Sequence, residues 1–114
     1  MRLLVTGGAG YIGGTVAELL LNKGHEVTIY DNLCHGHRSM VPARAEFIQG
    51  ELADQSHLEQ IFSSSTFDGV MHFAALIEAG ESMQRPELYF RNNSAATLTL
   101  LEAMLAKGVH RLVF

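Results

Sequence analysis

The sequence predicts an α/β fold, a doubly wound parallel sheet with helices on both faces. Three observations predict it. Apolar, β-branched runs alternate with segments of helical period along the chain, which is the pattern of repeated β-α units. The first run, Leu3-Leu4-Val5, is unbroken by polar residues, as suits a central strand covered on both faces. It leads directly into Thr6-Gly7-Gly8-Ala9-Gly10-Tyr11-Ile12-Gly13, a glycine-rich turn that opens a helix and so presents backbone N–H groups to a phosphate.

In chain order, Arg2 to Thr6 reads as the first strand, and Gly10 or Tyr11 begins the first helix. Gly24 stops that helix after Lys23. Glu26 to Tyr30 is the second strand, ended by Asp31-Asn32, and 33–42 is an irregular loop. Ala45 to Gly50 is a short third strand. Asp54 or Ser56 caps a helix through Leu58, Ile61 and Phe62, with Ser63 to Thr66 as the loop after it. Asp68 to Phe73 is the fourth strand, and Ala74 to Ser82 a small-residue turn region. Pro86 suits the first position of a long helix reaching Lys107, with Gly108 as its stop and Leu98, Leu101, Met104 and Leu105 as its core stripe. His110 to Phe114 begins a fifth strand. The alternation implies a Rossmann-type sheet of order 3-2-1-4-5, with a ligand crevice between strands 1 and 4, where the order reverses. The chain ends inside an apolar run, and a carboxylate buried there unpaired is costly. The 114 residues are therefore expected to be one Rossmann-type domain, a fragment of a longer protein with its sheet truncated after the fifth strand.

Composition excludes several classes. Apolar residues make up 47% of the chain, too many for a disordered segment. The net charge of -4 and the absence of a dense Lys/Arg cluster argue against a nucleic-acid partner. No apolar run approaches the roughly 20 residues that span a bilayer, so no membrane partner is expected. Cys34 is the only cysteine and cannot form an internal disulfide, which fits a reducing compartment such as the cytoplasm. The six histidines show no paired metal-ligand spacing, so no metal is expected, and His72 reads as a satisfied core histidine.

The residues that carry chemistry gather at the expected crevice. Five glycines lie between Gly7 and Gly14, where an ordinary turn needs one or two. Gly7 turns the chain, Gly10 lets a pyrophosphate approach the backbone, and Gly13 lets the helix pack on the strand. Asp31 stands eighteen positions after Gly13 at the end of the second strand, where a carboxylate accepts from ribose hydroxyls and repels a 2′-phosphate. This favours NAD over NADP, with Arg38 as the residue that argues the other way. Glu51 can face an adenine amino group while Leu52 covers the ring, and the small residues after Phe73 let a backbone come close to a diphosphate or a ribose. Asn92 and Asn93 are poor helix formers inside an otherwise good helix, which suggests a part in fixing the crevice wall.

These residues resemble the extended short-chain dehydrogenase/reductase family, and within it the nucleotide-sugar 4-epimerase branch. The resemblance rests on the glycine motif, on Asp31-Asn32-Leu33-Cys34, on His72-Phe73-Ala74-Ala75-Leu76 followed by Gly80-Glu81-Ser82, and on the stretch from Pro86 to Thr97. It implies that Tyr11 and Ile12 contact the pyrophosphate. It implies further that Asp31, Asn32, Leu33, Cys34, His35 and Gly36 line the adenosine ribose, and that Glu51 and Leu52 contact adenine. Phe73, Ala74, Ala75, Leu76 and Ile77 would line the nicotinamide side, and Asn92 would touch the cofactor. The implied activity is interconversion of UDP-glucose and UDP-galactose by transient oxidation at C4, with NAD as cofactor and a UDP-hexose as partner. A homodimer is compatible with it. This chain departs from the family in carrying Ile77 where many members have Lys, Glu51 where Asp is usual, and Ala96 where Gly is usual. The family's catalytic Tyr-x-x-x-Lys pair is absent, because Thr15, Cys34 and Asn93 follow Tyr11, Tyr30 and Tyr89 by four residues. Two alternatives stay open: another extended sugar-nucleotide enzyme, such as a 4,6-dehydratase or decarboxylase, and a non-catalytic NAD-sensing protein.

Overall fold

The computed structural model describes residues 1–76 and 79–114, so the expectation for Ile77 lies outside the described residues. Five strands form one parallel sheet: β1 (Arg2–Thr6), β2 (Glu26–Asp31), β3 (Glu46–Gln49), β4 (Gly69–His72) and β5 (Leu112–Val113). Their order is β3-β2-β1-β4-β5, as the alternation of elements predicts. The helices are α1 (Tyr11–Asn22), α2 (Gln55–Ser64), α3 (Ala79–Gln84), α4 (Pro86–Phe90) and α5 (Ala96–Ala106), and a single π turn, Arg91–Ala95, joins the last two. Among the described residues, no helix is long and apolar enough to cross a membrane.

Side chains alternate across each strand, so the sheet feeds two cores. Leu4, Tyr30 and Val70 face one side, where Leu58, Ile61 and Phe62 of α2 and Ala96, Leu100, Ala103 and Met104 of α5 cover them. Val5, Val27 and Ile29 face the other, against Ala17 of α1 and Val41 of the loop after β2. The helix ends follow local chemistry. Gly24 and Gly108 hold φ of 86° and 70° just past α1 and α5, a backbone that L side chains adopt at a cost. Asp54 caps α2, its Oδ1 accepting from the His57 N–H at 3.1 Å.

Four expectations need correction. Ala79 to Gln84 form the short α3, in a stretch expected to be turn. Ser63 and Ser64 belong to α2, where their hydroxyls donate back to the carbonyls of Glu59 and Ile61 and so satisfy themselves within the helix. The long helix from Pro86 is interrupted by the π turn, which shifts the phase of everything after it. Within α5 itself Leu98 and Leu105 lie on the outer face, 56% and 65% exposed, and the buried stripe is Ala96, Leu100, Ala103 and Met104. Leu101 packs only at the margin.

The burial pattern of α5 predicts a contrast measurable by urea denaturation. Leu100→Ala should cost about 2–5 kcal/mol, as for a fully buried leucine, and Leu98→Ala no more than about 0.5 kcal/mol. Equal costs would contradict the burial pattern.

Candidate functional site

The sheet order reverses between β1 and β4, and the chain leaves both strands at the same edge. Thr6 pairs with His72 in register, and the ladder continues one step further, with the Phe73 N–H donating to the Thr6 carbonyl at 2.9 Å. Beyond that point the two chains part and a cleft of about 390 Å³ opens. Gly7 sits at its base with φ of 73°, and a Cβ there would meet Ala74 N at 2.5 Å and Phe73 C at 2.6 Å. Gly13 also has no room, because a Cβ would strike the Gly7 carbonyl. It therefore packs against the start of its own loop rather than on the strand. Gly10 differs from both: a Cβ on it would meet only the Gly7 carbonyl, at 3.4 Å, and the space beside it is the cleft. Gly10 is also the N-cap of α1, and it supplies no side-chain cap, with no acidic residue in the first turn. The N–H groups and positive dipole end of α1 are thus left for another acceptor.

Asp31 closes the second wall. Its Oδ2 accepts from the Ala9 N–H at 3.0 Å and its Oδ1 from the Leu33 N–H at 2.8 Å, tying the end of β2 to the glycine loop. Each oxygen keeps a lone pair for a ligand. Asn32 repeats the turn one residue on, accepting from Cys34 N–H at 2.9 Å, and Leu33 between them is held at φ of 61°. A left-handed leucine persists only where the surroundings over-determine it, and two successive side-chain-to-backbone turns do so here. The Glu51 carboxylate accepts from Asn32 Nδ2 at 3.1 Å, a bridge from the β2 loop to the β3 loop. Arg38, the residue that argued for a 2′-phosphate, instead lays its guanidinium on the Phe47 ring, 4.6 Å from the centroid, and does not line the cleft.

The expected site residues among those described divide two ways. Gly7, Gly10, Tyr11, Asp31, Asn32, Cys34, His35, Gly36, Glu51, Leu52, Ala74, Ala75, Leu76 and Asn92 come together around the cleft. Ile12, Gly13, Leu33 and Phe73 stand outside its lining. Ile12 is exposed, Gly13 is buried under the loop, and Leu33 and Phe73 pack on the α1-side core. Tyr30 and Gly50 join the lining without having been anticipated. The Tyr30 hydroxyl donates to the Glu51 carbonyl at 2.7 Å. Burial, then the charges of Asp54 and Glu51, push its pKa up to about 12, so it stays a neutral donor.

Beneath the cleft His72 is buried between two threonines. Thr97 gives its single hydroxyl proton to the Asn93 carbonyl at 3.0 Å, so toward His72 Nε2, also at 3.0 Å, it accepts. Nε2 therefore carries the proton, and Nδ1 accepts from the Thr6 hydroxyl at 2.6 Å. His72 is a satisfied core histidine, as its sequence position suggests, and it is held in one tautomer. Burial lowers its pKa from the ordinary 6.5.

With this geometry in view, the chain was compared with known proteins. Residues 3–114 match the model of the NAD dependent epimerase/dehydratase family. The chain belongs to that family. Among relatives of this epimerase/dehydratase chain, the UDP-glucose 4-epimerase of Corynebacterium glutamicum is 50% identical over 114 residues, covering all of this chain and 34% of the relative. The crystal structure of Thermus thermophilus UDP-glucose 4-epimerase in complex with NAD superposes with a TM-score of 0.96 at 42% identity, over 100% of this chain and 37% of that one. The Thermotoga maritima UDP-glucose 4-epimerase with UDP-glucose does so with a TM-score of 0.97 at 34% identity, over 100% and 37%. The chain spans about a third of the length of these relatives.

The lowered His72 pKa has a signed consequence. The folded chain takes up this proton less readily than the unfolded chain does. The stability it contributes is present above pH 6.5 and is lost as pH falls from there through the depressed native value. The melting temperature of the wild type should therefore fall more steeply between about pH 7 and pH 5 than that of His72→Gln. Parallel slopes would contradict it.

Proposed function

We propose that this chain forms the NAD-binding part of a nucleotide-sugar 4-epimerase that interconverts UDP-glucose and UDP-galactose, a cytoplasmic enzyme of galactose metabolism. The carrying observation is the uncapped N-terminus of α1 at Gly10, open to a cleft that the Asp31 carboxylate also lines. A dinucleotide needs both features: donors for its diphosphate and an acceptor for its adenosine ribose. The residues fit NAD on the structure's own terms. A Cβ is excluded at Gly7 and Gly13 by the protein itself, but at Gly10 the protein leaves the space open. Asp31 keeps lone pairs free, and Arg38 rests on the Phe47 ring and does not line the cleft. The family and the NAD complex of the Thermus relative support the same reading.

Bound there, NAD supplies a hydride acceptor and donor for the sugar C4. This chain's residues bind and orient: the α1 N–H groups hold the diphosphate, Asp31 the ribose hydroxyls, Glu51 and Leu52 the adenine. Ala74 to Leu76 and Asn92 form the opposite wall. Proton transfer at the sugar hydroxyl needs a tyrosine with a depressed pKa. None of Tyr11, Tyr30 and Tyr89 has a lysine four residues on, and Tyr30 is shifted the opposite way. The exposed Leu98 and Leu105 on α5 are compatible with a homodimer.

Two outcomes test this. Gly10→Ala should change stability by no more than about 1 kcal/mol yet weaken NAD binding by about tenfold or more, whereas Gly13→Ala should destabilise the fold itself. NAD affinity unchanged in Gly10→Ala, by calorimetry, would remove the diphosphate seat. The 114 residues alone, supplied with NAD and UDP-galactose, should release no UDP-glucose. Turnover by them would refute the assignment of proton transfer to residues beyond this chain.

A further inference from the structure

The hydrogen bonds below the cleft do not end at His72. The Thr6 hydroxyl donates to His72 Nδ1, His72 Nε2–H donates to Thr97 Oγ1, and the Thr97 hydroxyl donates to the Asn93 carbonyl. The Asn93 carboxamide then takes both backbone groups of one residue on the far wall. Its Oδ1 accepts from the Leu76 N–H at 2.8 Å, and its Nδ2 donates to the Leu76 carbonyl at 2.9 Å. Asn92 Nδ2 donates to the same Oδ1 at 2.9 Å. The bonds run in one direction from Thr6 to the Asn93 backbone carbonyl, and the Asn93 side chain makes its own pair of bonds to the loop that faces the glycine loop. Among the described residues, no buried side-chain donor or acceptor is left unpaired.

The loop after β4 needs such a device. From Ala74 to Leu76 it has no regular structure, and its backbone groups have no strand beside them once the sheet has parted. The two-bond contact of a carboxamide with the N–H and C=O of one residue is the pairing a neighbouring antiparallel strand would offer. Asn93 lies in the π turn, and π turns recur at functional sites because they re-aim side chains without ending a helix.

We propose that Asn93 is a positioning residue: acting through Leu76, and itself set by the Thr6–His72–Thr97 chain, it fixes the cleft wall away from the adenosine end. The proposal rests on the NAD reading above. It therefore concerns the nicotinamide half of the cofactor and not the adenosine half, which Asp31 and Glu51 serve.

The test compares two probes, NAD and AMP, bound to the full natural protein freed of cofactor. Asn93→Ala should weaken NAD binding by about tenfold, the scale of lost hydrogen bonding, and leave AMP affinity within about twofold. Asn93→Asp, which keeps the acceptor for the Leu76 N–H and loses the donor to its carbonyl, should fall between. A loss of fold alone would not separate the two probes. Unchanged NAD affinity in Asn93→Ala, or equal losses for NAD and AMP, would overturn the proposal. A measurement without variants covers the case where neither variant folds. The Leu76 amide of the wild type should be protected from hydrogen exchange, and exchange at the rate of a free loop would overturn it. Failure of the wild type to bind NAD would overturn the cofactor reading and this inference with it, whereas binding that Asn93→Ala leaves intact would overturn this inference alone.

Discussion

Everything at the cleft depends on how closely two backbones approach where β1 and β4 separate. Gly7 lies so near the Phe73–Ala74 peptide that no Cβ fits between them. That contact sets the floor of the cleft, and Gly13 against the Gly7 carbonyl sets the entry of α1. With both fixed, α1 begins beside the parted strand ends, and its N-cap Gly10 offers its first N–H groups no side-chain cap. A helix left uncapped is a cost in the free protein, which an anion at that place offsets.

The polar residues near the floor play a different part from those at the rim. Asp31, Asn32 and Glu51 are partly or wholly exposed, and they hold loops to each other through carboxyl and carboxamide groups that retain spare acceptors. His72, Thr6 and Thr97 are buried, and each has its hydrogen-bonding capacity directed inward. Buried polar groups are costly unless paired, so a one-way chain leaves little freedom in where each member sits.

Much of this was legible in the sequence. The unbroken Leu3-Leu4-Val5 run and the glycine spacing sufficed for strand order and crevice position, and Asp31 for a carboxylate in its lining, because strand burial and tight turns are local demands. The helix stops at Gly24 and Gly108 and the cap at Asp54 were legible for the same reason. Asn92 and Asn93 stood out as misfits of helix propensity, but what they bond could not be read, since Leu76 is seventeen positions away. The core stripe of α5 was misassigned because the helix is apolar on more than one face, and Leu98 and Leu105 are as apolar as the Leu100 that is buried.

The sequence by itself determined the parallel α/β order, the glycine loop and the acidic end of β2, since each follows from residues adjacent along the chain. Only the tertiary structure decided which glycine is open to a ligand, where Arg38 points, which face of α5 is buried and which nitrogen of His72 carries the proton. Those depend on atoms brought together from β1, β4, α5 and the loops between them, and no local preference encodes a distance across the sheet.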